Sequence, residues 1–357
     1  MAQRSSDFNF LAGLGILLGA LVLWETHHYP LWAESLSSML MTQAQSSTLP
    51  QRSPGLYRIP QDGKFGFIDR TGKVVIQPQF DLAWSFVEGR SQIKLNDRYG
   101  YIDETGKLVI PAQFRLAFAF SEGLAIVVID NKYGYIDLNG KVVIPAQFEQ
   151  ALAFKEGLAA VKIGEKYGFI DKTGKLVIPA QFDYAMHFAN GLAPVQVGGK
   201  RGYINKAGVF VIPPQFEGDW LSGMWTFNDR LAGITEDGKW GFIDTTGKVV
   251  IPPQFDEIQE FHEGLASVQI ADKWGYIDRT GKLVIQPQFE RAERFSHGLA
   301  AVKIQDQYGY IDQVGKLVIP PQFGYALTFT DDLALVYMDG KAAYIDRTGK
   351  FIWGPAR

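Results

Sequence analysis

An all-β tandem array is the fold class this sequence predicts, and three observations predict it. An aromatic-Gly pair recurs, with its glycine at Gly66, Gly100, Gly134, Gly168, Gly202, Gly241, Gly275 and Gly309, and Ala343 holding the ninth position. Every step is 34 residues except one of 39, between Gly202 and Gly241. Self-similarity at such a period marks a repeat architecture. A second motif, Asp-x-Thr-Gly-Lys, recurs as Asp69–Lys73, Asp103–Lys107, Asp171–Lys175, Asp244–Lys248, Asp278–Lys282 and Asp346–Lys350, with a weaker copy at Asn205–Val209. Finally, Pro and Gly interrupt every unit. Outside the last unit, where Tyr325 to Asp339 is free of both, no such run in the array exceeds the eleven residues of Ala112 to Glu122. Helical hairpins of the same period need about a dozen or more, so the helical reading fails.

The chain opens differently. Leu11 to Trp24 is a run of fourteen residues without a charge, preceded by Arg4 and Asp7. Counting from Phe8 to Trp24 gives the low edge of a membrane span, which needs about 20 apolar residues, whereas a signal-peptide core has about 10–14. Neither Ala33 nor Ala44 has an Ala two residues before it, so a small-x-small cleavage site is missing. An uncleaved N-terminal hydrophobic helix is therefore favoured over a cleaved signal. Residues 1–44 form this segment, with residues 8–24 entering the membrane. Arg4 holds the N-terminus inside and sends the repeats to the extracytoplasmic side. A secreted or periplasmic protein after cleavage is the alternative. Residues 45–54 are polar and rich in Pro and Ser, which reads as a linker.

The array fills residues 55–357, and each unit reads as a three-stranded antiparallel β-meander. In Leu158–Ile163, Ala159, Val161 and Ile163 share one face and Lys162 takes the other, as in a half-buried strand. A tight hairpin leads to the aromatic-Gly strand, and Asp-x-Thr-Gly-Lys leads to the third. Gly in that turn supplies the positive φ of a type I turn with a one-residue bulge. The Asp accepts hydrogen bonds from the loop's own amides. One carboxylate per repeat is no calcium site, which takes about six to eight oxygens. The connector Gln113, Phe114, Ala117, Phe120 has the spacing of a single 3₁₀ turn. Its Gln is expected to bond backbone of a neighbouring unit.

Both ends of the array fall on whole units, GLYRIPQDGKFG and KFIWGPAR, leaving no orphan strand. Propeller blades usually have four strands and about 40–45 residues. Nine three-stranded units in an open, twisted solenoid are therefore preferred, with a closed β-propeller as the alternative.

Lys273–Asp278 (KWGYID), Lys239–Asp244 (KWGFID), Gly-Lys-Leu-Val-Ile-Pro and Phe-x-Glu-Gly-Leu-Ala together resemble bacterial WG repeats, also called KWG repeats. The resemblance covers residues 55–357, although most units carry Tyr or Phe in place of Trp and Arg201 replaces the aromatic altogether. It implies an interaction module, often exported or membrane-attached, with no catalytic residue in common.

Composition narrows function by exclusion. Net charge is −3, so nothing favours nucleic acid, and the lack of Cys removes disulfides and thiolate metal sites. No pattern calls for a cofactor, a metal or a catalytic residue. The five histidines fall in the leader or the connectors without ligand spacing. The leading expectation is a non-catalytic scaffold for a protein partner, since repeat arrays present extended binding surfaces. Its contact surface would be a five-residue insertion within residues 217–226, carrying Asp219, Trp220, Met224 and Trp225 beside Asp229. A second reading is a carbohydrate or cell-wall glycan module, with Phe65, Tyr99, Tyr133, Tyr167, Trp240, Trp274 and Tyr308 as a sugar-stacking ladder. A third, a propeller-type hydrolase, needs a cluster of catalytic groups that breaks the repeat pattern.

Overall fold

Nine small antiparallel sheets make up the residues described by the computed structural model, 55–217 and 225–354. Among the described residues there is no helix, and so none long and apolar enough to cross a membrane. The leader helix expected at residues 8–24 and the linker at 45–54 lie outside them. We number the sheets as blades 1 (57–80), 2 (82–114), 3 (116–148), 4 (150–182), 5 (184–216), 6 (231–255), 7 (257–289), 8 (291–323) and 9 (325–353).

Blade 4 shows the anatomy. Its strands are Gln150–Ala151, Leu158–Ile163, Lys166–Asp171 and Leu176–Phe182, hydrogen-bonded in that order. The expected three-stranded unit is thus corrected to four in seven of the nine sheets, blades 1 and 6 having three strands among the described residues. The connector is no 3₁₀ turn but a two-residue strand joining the following blade, Gln150↔Lys162 and Ala151↔Val161. Its apolar spacing of three comes from the chain bending out of that short strand. The first long strand also departs from half-burial, because Leu158 to Val161 are all buried. Blades stack on both of its faces.

The aromatic-Gly motif has a steric cause. Tyr167 pairs with Phe182 and Phe169 with Ile178, so two extra residues of the third strand arch over Gly168. A Cβ there would lie 2.7 Å from the Ile178 carbonyl oxygen and 2.8 Å from the Ala180 nitrogen. Only glycine tolerates such backbone approach. In blade 9 the last strand, Phe351–Trp353, stops short of the two-residue arch, keeping only the register shift between Tyr344 and Ile345. There the methyl of Ala343 is admitted and glycine moves to the opposing chain, since a Cβ on Gly354 would lie 2.5 Å from that of Ala343.

The Asp-x-Thr-Gly-Lys loop forms the expected turn. Gly174 has φ of 86°, and its amide donates to the Asp171 carbonyl at 2.9 Å. Asp171 Oδ1 accepts from the Thr173 amide, the Thr173 hydroxyl and the Lys175 amide at 2.9, 2.6 and 3.1 Å. The connector glutamines Gln254, Gln288 and Gln322 reach the carbonyl two residues back in their own strand, not a neighbouring unit.

The preferred open solenoid is overturned by counting interfaces. Nine units in a row share eight interfaces, whereas nine hydrophobic clusters are present, each drawing on two blades. Ile126, Tyr135 and Ile144 of blade 3 meet Phe154, Val161 and Ile170 of blade 4 in one of them. The ninth unites chain ends: Tyr57, Ile59 and Ile68 of blade 1 pack with Leu333 and Tyr344 of blade 9. The Tyr344 hydroxyl donates to the Arg58 carbonyl at 2.9 Å. The array is a closed nine-bladed β-propeller, and among the described residues no strand is exchanged between blades 1 and 9.

Closure follows from wedge-shaped sheets. Small residues such as Ala159 and Ala160 sit wholly buried on the first long strand, while the third strand leaves Leu176 and Val177 exposed. The short and first strands therefore form the crowded inner edge, and the third strand the outer rim. At one end of the blades, left-handed residues after the second connector Phe lock the ring together. The Glu88 carboxylate accepts the Glu122 and Gly123 amides at 2.7 and 2.8 Å, and Glu263 accepts those of His297 and Gly298 at 2.7 and 2.9 Å.

Candidate functional site

Because the short strands form the inner edge, the residues that follow them converge on the axis. The position before the second connector Phe is small in blades 2 to 4, as Ser85, Ala119 and Ala153. In blades 5 to 8 it becomes His187, Thr226, Glu260 and Arg294, before reverting to Thr328 in blade 9. Glu260 of blade 7 acts electrostatically on His187 of blade 5, two blades away. Such reach is available only near the axis.

His187 is buried, and burial together with the Lys155 charge pushes its pKa down to about 4. It is a neutral imidazole at physiological pH. Lys155, half-buried, is also held below the usual lysine range by burial, against the pull of Glu122 and Glu88. Burial lifts the Glu293 carboxyl and lowers the Arg294 guanidinium, while Arg294 opposes the first and Glu260 the second. Asn228 Nδ2 donates to Glu260 Oε2 at 3.1 Å and lies 3.2 Å from His262 Nε2. The sector thus offers half-buried donors, acceptors and charges of both signs on one side of the axis.

The residues singled out from sequence are dispersed. Asp219, Trp220 and Met224 lie outside the described residues. Trp225 is 1% exposed, stacked under the Arg201 guanidinium with its ring 5.4 Å from Trp240. As a contact residue it is corrected: it is buried in the core, and Arg201 replaces an aromatic by covering an aromatic. Asp229 accepts the Gly264 amide at 3.0 Å and pairs with Arg279 at 3.0 Å, clasping blade 6 to blade 7. The sugar-stacking ladder is corrected likewise. Tyr99, Tyr167, Trp274 and Tyr308 are buried, and Phe65, Tyr133 and Trp240 are half-buried against the same cores. Tyr167 is buried and packs at a tilt against Tyr184, 5.2 Å away.

The axial sector is what sequence reasoning missed. Its signal was present: His187, Glu260 and Arg294 occupy one connector column that is small and uncharged in the other units. A propeller turns those columns inward, whereas an open stack gives them no common meeting point.

Comparison with known proteins supports the fold. The family model described as "WG containing repeat" matches eight consecutive stretches: 65–99, 99–133, 133–167, 167–200, 202–240, 240–274, 274–307 and 308–341. No curated protein matches the chain. Among solved structures, it is similar to one titled "Crystal structure of the eukaryotic initiation factor", at 12% identity and a TM-score of 0.61, covering 85% of this chain and 96% of that one. It also aligns with the dihydro-heme d1 dehydrogenase NirN in complex with DHE, at 15% identity and a TM-score of 0.47, covering 86% of this chain and 75% of that one. Identities this low speak to fold alone.

Proposed function

Since the chain belongs to the WG-containing-repeat family, we propose that it is a non-catalytic interaction scaffold whose protein partner engages the axial sector of blades 5 to 8. The observation that carries this reading is the clustering of departures from the repeat. His187, Glu260 and Arg294 interrupt one column, and the insertion within 217–226 falls in the same sector. A repeat scaffold acquires specificity where it stops repeating. Asp219, Trp220 and Met224, which the insertion brings into the same stretch of sequence, are included in this proposal, whereas Trp225 is buried. We take the scaffold to work outside the cytoplasm, tethered through residues 8–24, or released to the periplasm or medium if the leader is cut. The apolar run from Leu11 to Trp24 supports this. A glycan module loses its main support with the burial of the aromatic ladder.

Affinity capture with the full chain tests the proposal. Glu260→Gln combined with Arg294→Gln should lose the captured partner while melting within a few degrees of the parent. Ser85→Ala, on the opposite side of the axis, should keep it. Undiminished capture by the double variant would move the contact surface elsewhere. Turnover of an ester or glycoside that disappears in His187→Gln would instead make the chain a hydrolase.

A further inference from the structure

At the blade end opposite the carboxylate clasps, the residue after each Gln-Phe is usually an acid with two tasks. Asp183 accepts the Gly198 amide of its hairpin at 2.7 Å and pairs with Lys166 of the preceding blade. Asp256 does the same with the Ala271 amide at 3.0 Å and Lys239, and Asp81 with the Asn96 amide at 2.8 Å and Lys64. Between blades 2 and 3 both partners are changed. Arg98 stands where the repeat has Lys, and Arg115 where it has the acid. The ion pair becomes two like charges, and the Asp130 amide, counterpart of the Gly198 amide, loses its carboxylate acceptor.

Both guanidiniums line a cavity of 530 Å³. Phe114, Val128 and Ile129 form an apolar part of its wall, and Asp130 and Asn131 a polar edge. Arg115 bonds the Asn131 side-chain oxygen, which orients its planar fork. Arg98 has no hydrogen bond or ion pair among the described residues. Donors therefore gather where the other blades put a carboxylate, beside a cavity of small-molecule size.

We propose that this cavity binds an organic carboxylate, whose charged group takes the place of the missing acid between Arg98 and Arg115 while its apolar body lies on Phe114, Val128 and Ile129. Planar guanidiniums match a carboxylate's two oxygens. Asp130 at the rim opposes a second negative charge, which selects a monoanion over a phosphate dianion. Both arginines are exposed, so binding is salt-sensitive and weak, with Kd on the order of 1 mM.

Titration of the full chain with sodium benzoate, followed by calorimetry or by chemical shifts of the 128–131 amides, tests this independently of the axial proposal. Saturable binding is expected, weakening about tenfold or more in Arg98→Ala. The decisive variant restores the repeat: Arg98→Lys with Arg115→Asp should fold at least as well as the parent and lose benzoate binding. Binding that survives this double change, or its absence in the parent, overturns the site. Inorganic phosphate binding more tightly than benzoate overturns the carboxylate assignment.

Discussion

At the interface between blades 3 and 4, Tyr135 is wholly buried, 4.9 Å from the Phe154 ring, and its hydroxyl donates to the Leu152 carbonyl at 2.8 Å. At the seam between blades 9 and 1, Tyr344 is the equivalent residue. It packs 5.5 Å from Tyr57 and donates to the Arg58 carbonyl. Among the described residues no connector Phe stands opposite Tyr344. Tyr57 and Arg58 fill the space instead, at positions where blade 4 has Ala159 and Ala160. Enlarging two side chains on the first strand thus helps to seal the ring, and among the described residues its ends share no strand. The Arg58 guanidinium also extends to the Ala83 carbonyl at 3.0 Å, tying the seam to the next interface.

Removing the aromatic from each interface gives the largest expected effects. Tyr135→Ala should destabilise the ring by about 3–5 kcal/mol, through a cavity that the covalently joined blades cannot collapse. Tyr344→Ala should cost less, about 2–3 kcal/mol, because the seam can relax. Denaturant titration of both reads the difference; an equal or greater loss at the seam would mean that closure is its least tolerant contact.

The glycine exchange sharpens the same contrast. Gly168→Ala forces a methyl against the bulged backbone and should lower stability by about 1–3 kcal/mol. Ala343→Gly, where the two-residue arch is missing, should cost only about 0.5–1 kcal/mol from added chain freedom. If both shift the melting temperature alike, the arching strand is not what demands glycine.

The smallest effect concerns acid. In Asp103, Asp171, Asp244 and Asp278 the threonine hydroxyl bond leads in holding the carboxyl below its ordinary value. A lowered folded-state pKa contributes stability above the unfolded carboxylate range that is lost as pH falls through the folded value. Asn205 accepts the Ala207 and Val209 amides at 3.0 and 3.1 Å without a charge. Asp171→Asn should therefore fold normally at neutral pH and show a shallower loss of stability below about pH 4. An unchanged acid limb would remove these turns from the titration.

The long strands, their turns and the Asp role were legible because each depends on residues a few positions apart. The short strand was not. Phe114, Ala117 and Phe120 have the same spacing whether the chain coils or bends, and only its pairing with the next strand decides. Curvature was hidden for a related reason, being set by many small size differences between inner and outer strands. One clue lay in plain view: Tyr57 and Arg58 replace small residues of the repeat. The axial residues were readable as letters but not as neighbours, since His187 and Glu260 meet only after the ring closes.

Four tyrosine hydroxyls donate from one blade to the next in the same sense, from Tyr101 to Phe118, Tyr135 to Leu152, Tyr276 to Glu293 and Tyr310 to Leu327. The ring is thus a head-to-tail assembly of near-identical units within one chain, the kind of contact that makes a closed circle or an endless helix according to its rotation. Nine units close when each turns by about 40°, and a few degrees more or less would leave a gap or an overlap. Enlarging Ala159 or Ala160 would change that angle one joint at a time. A family built this way can change its number of blades by copying a stretch of about 34 residues, provided the first and last copies still find each other.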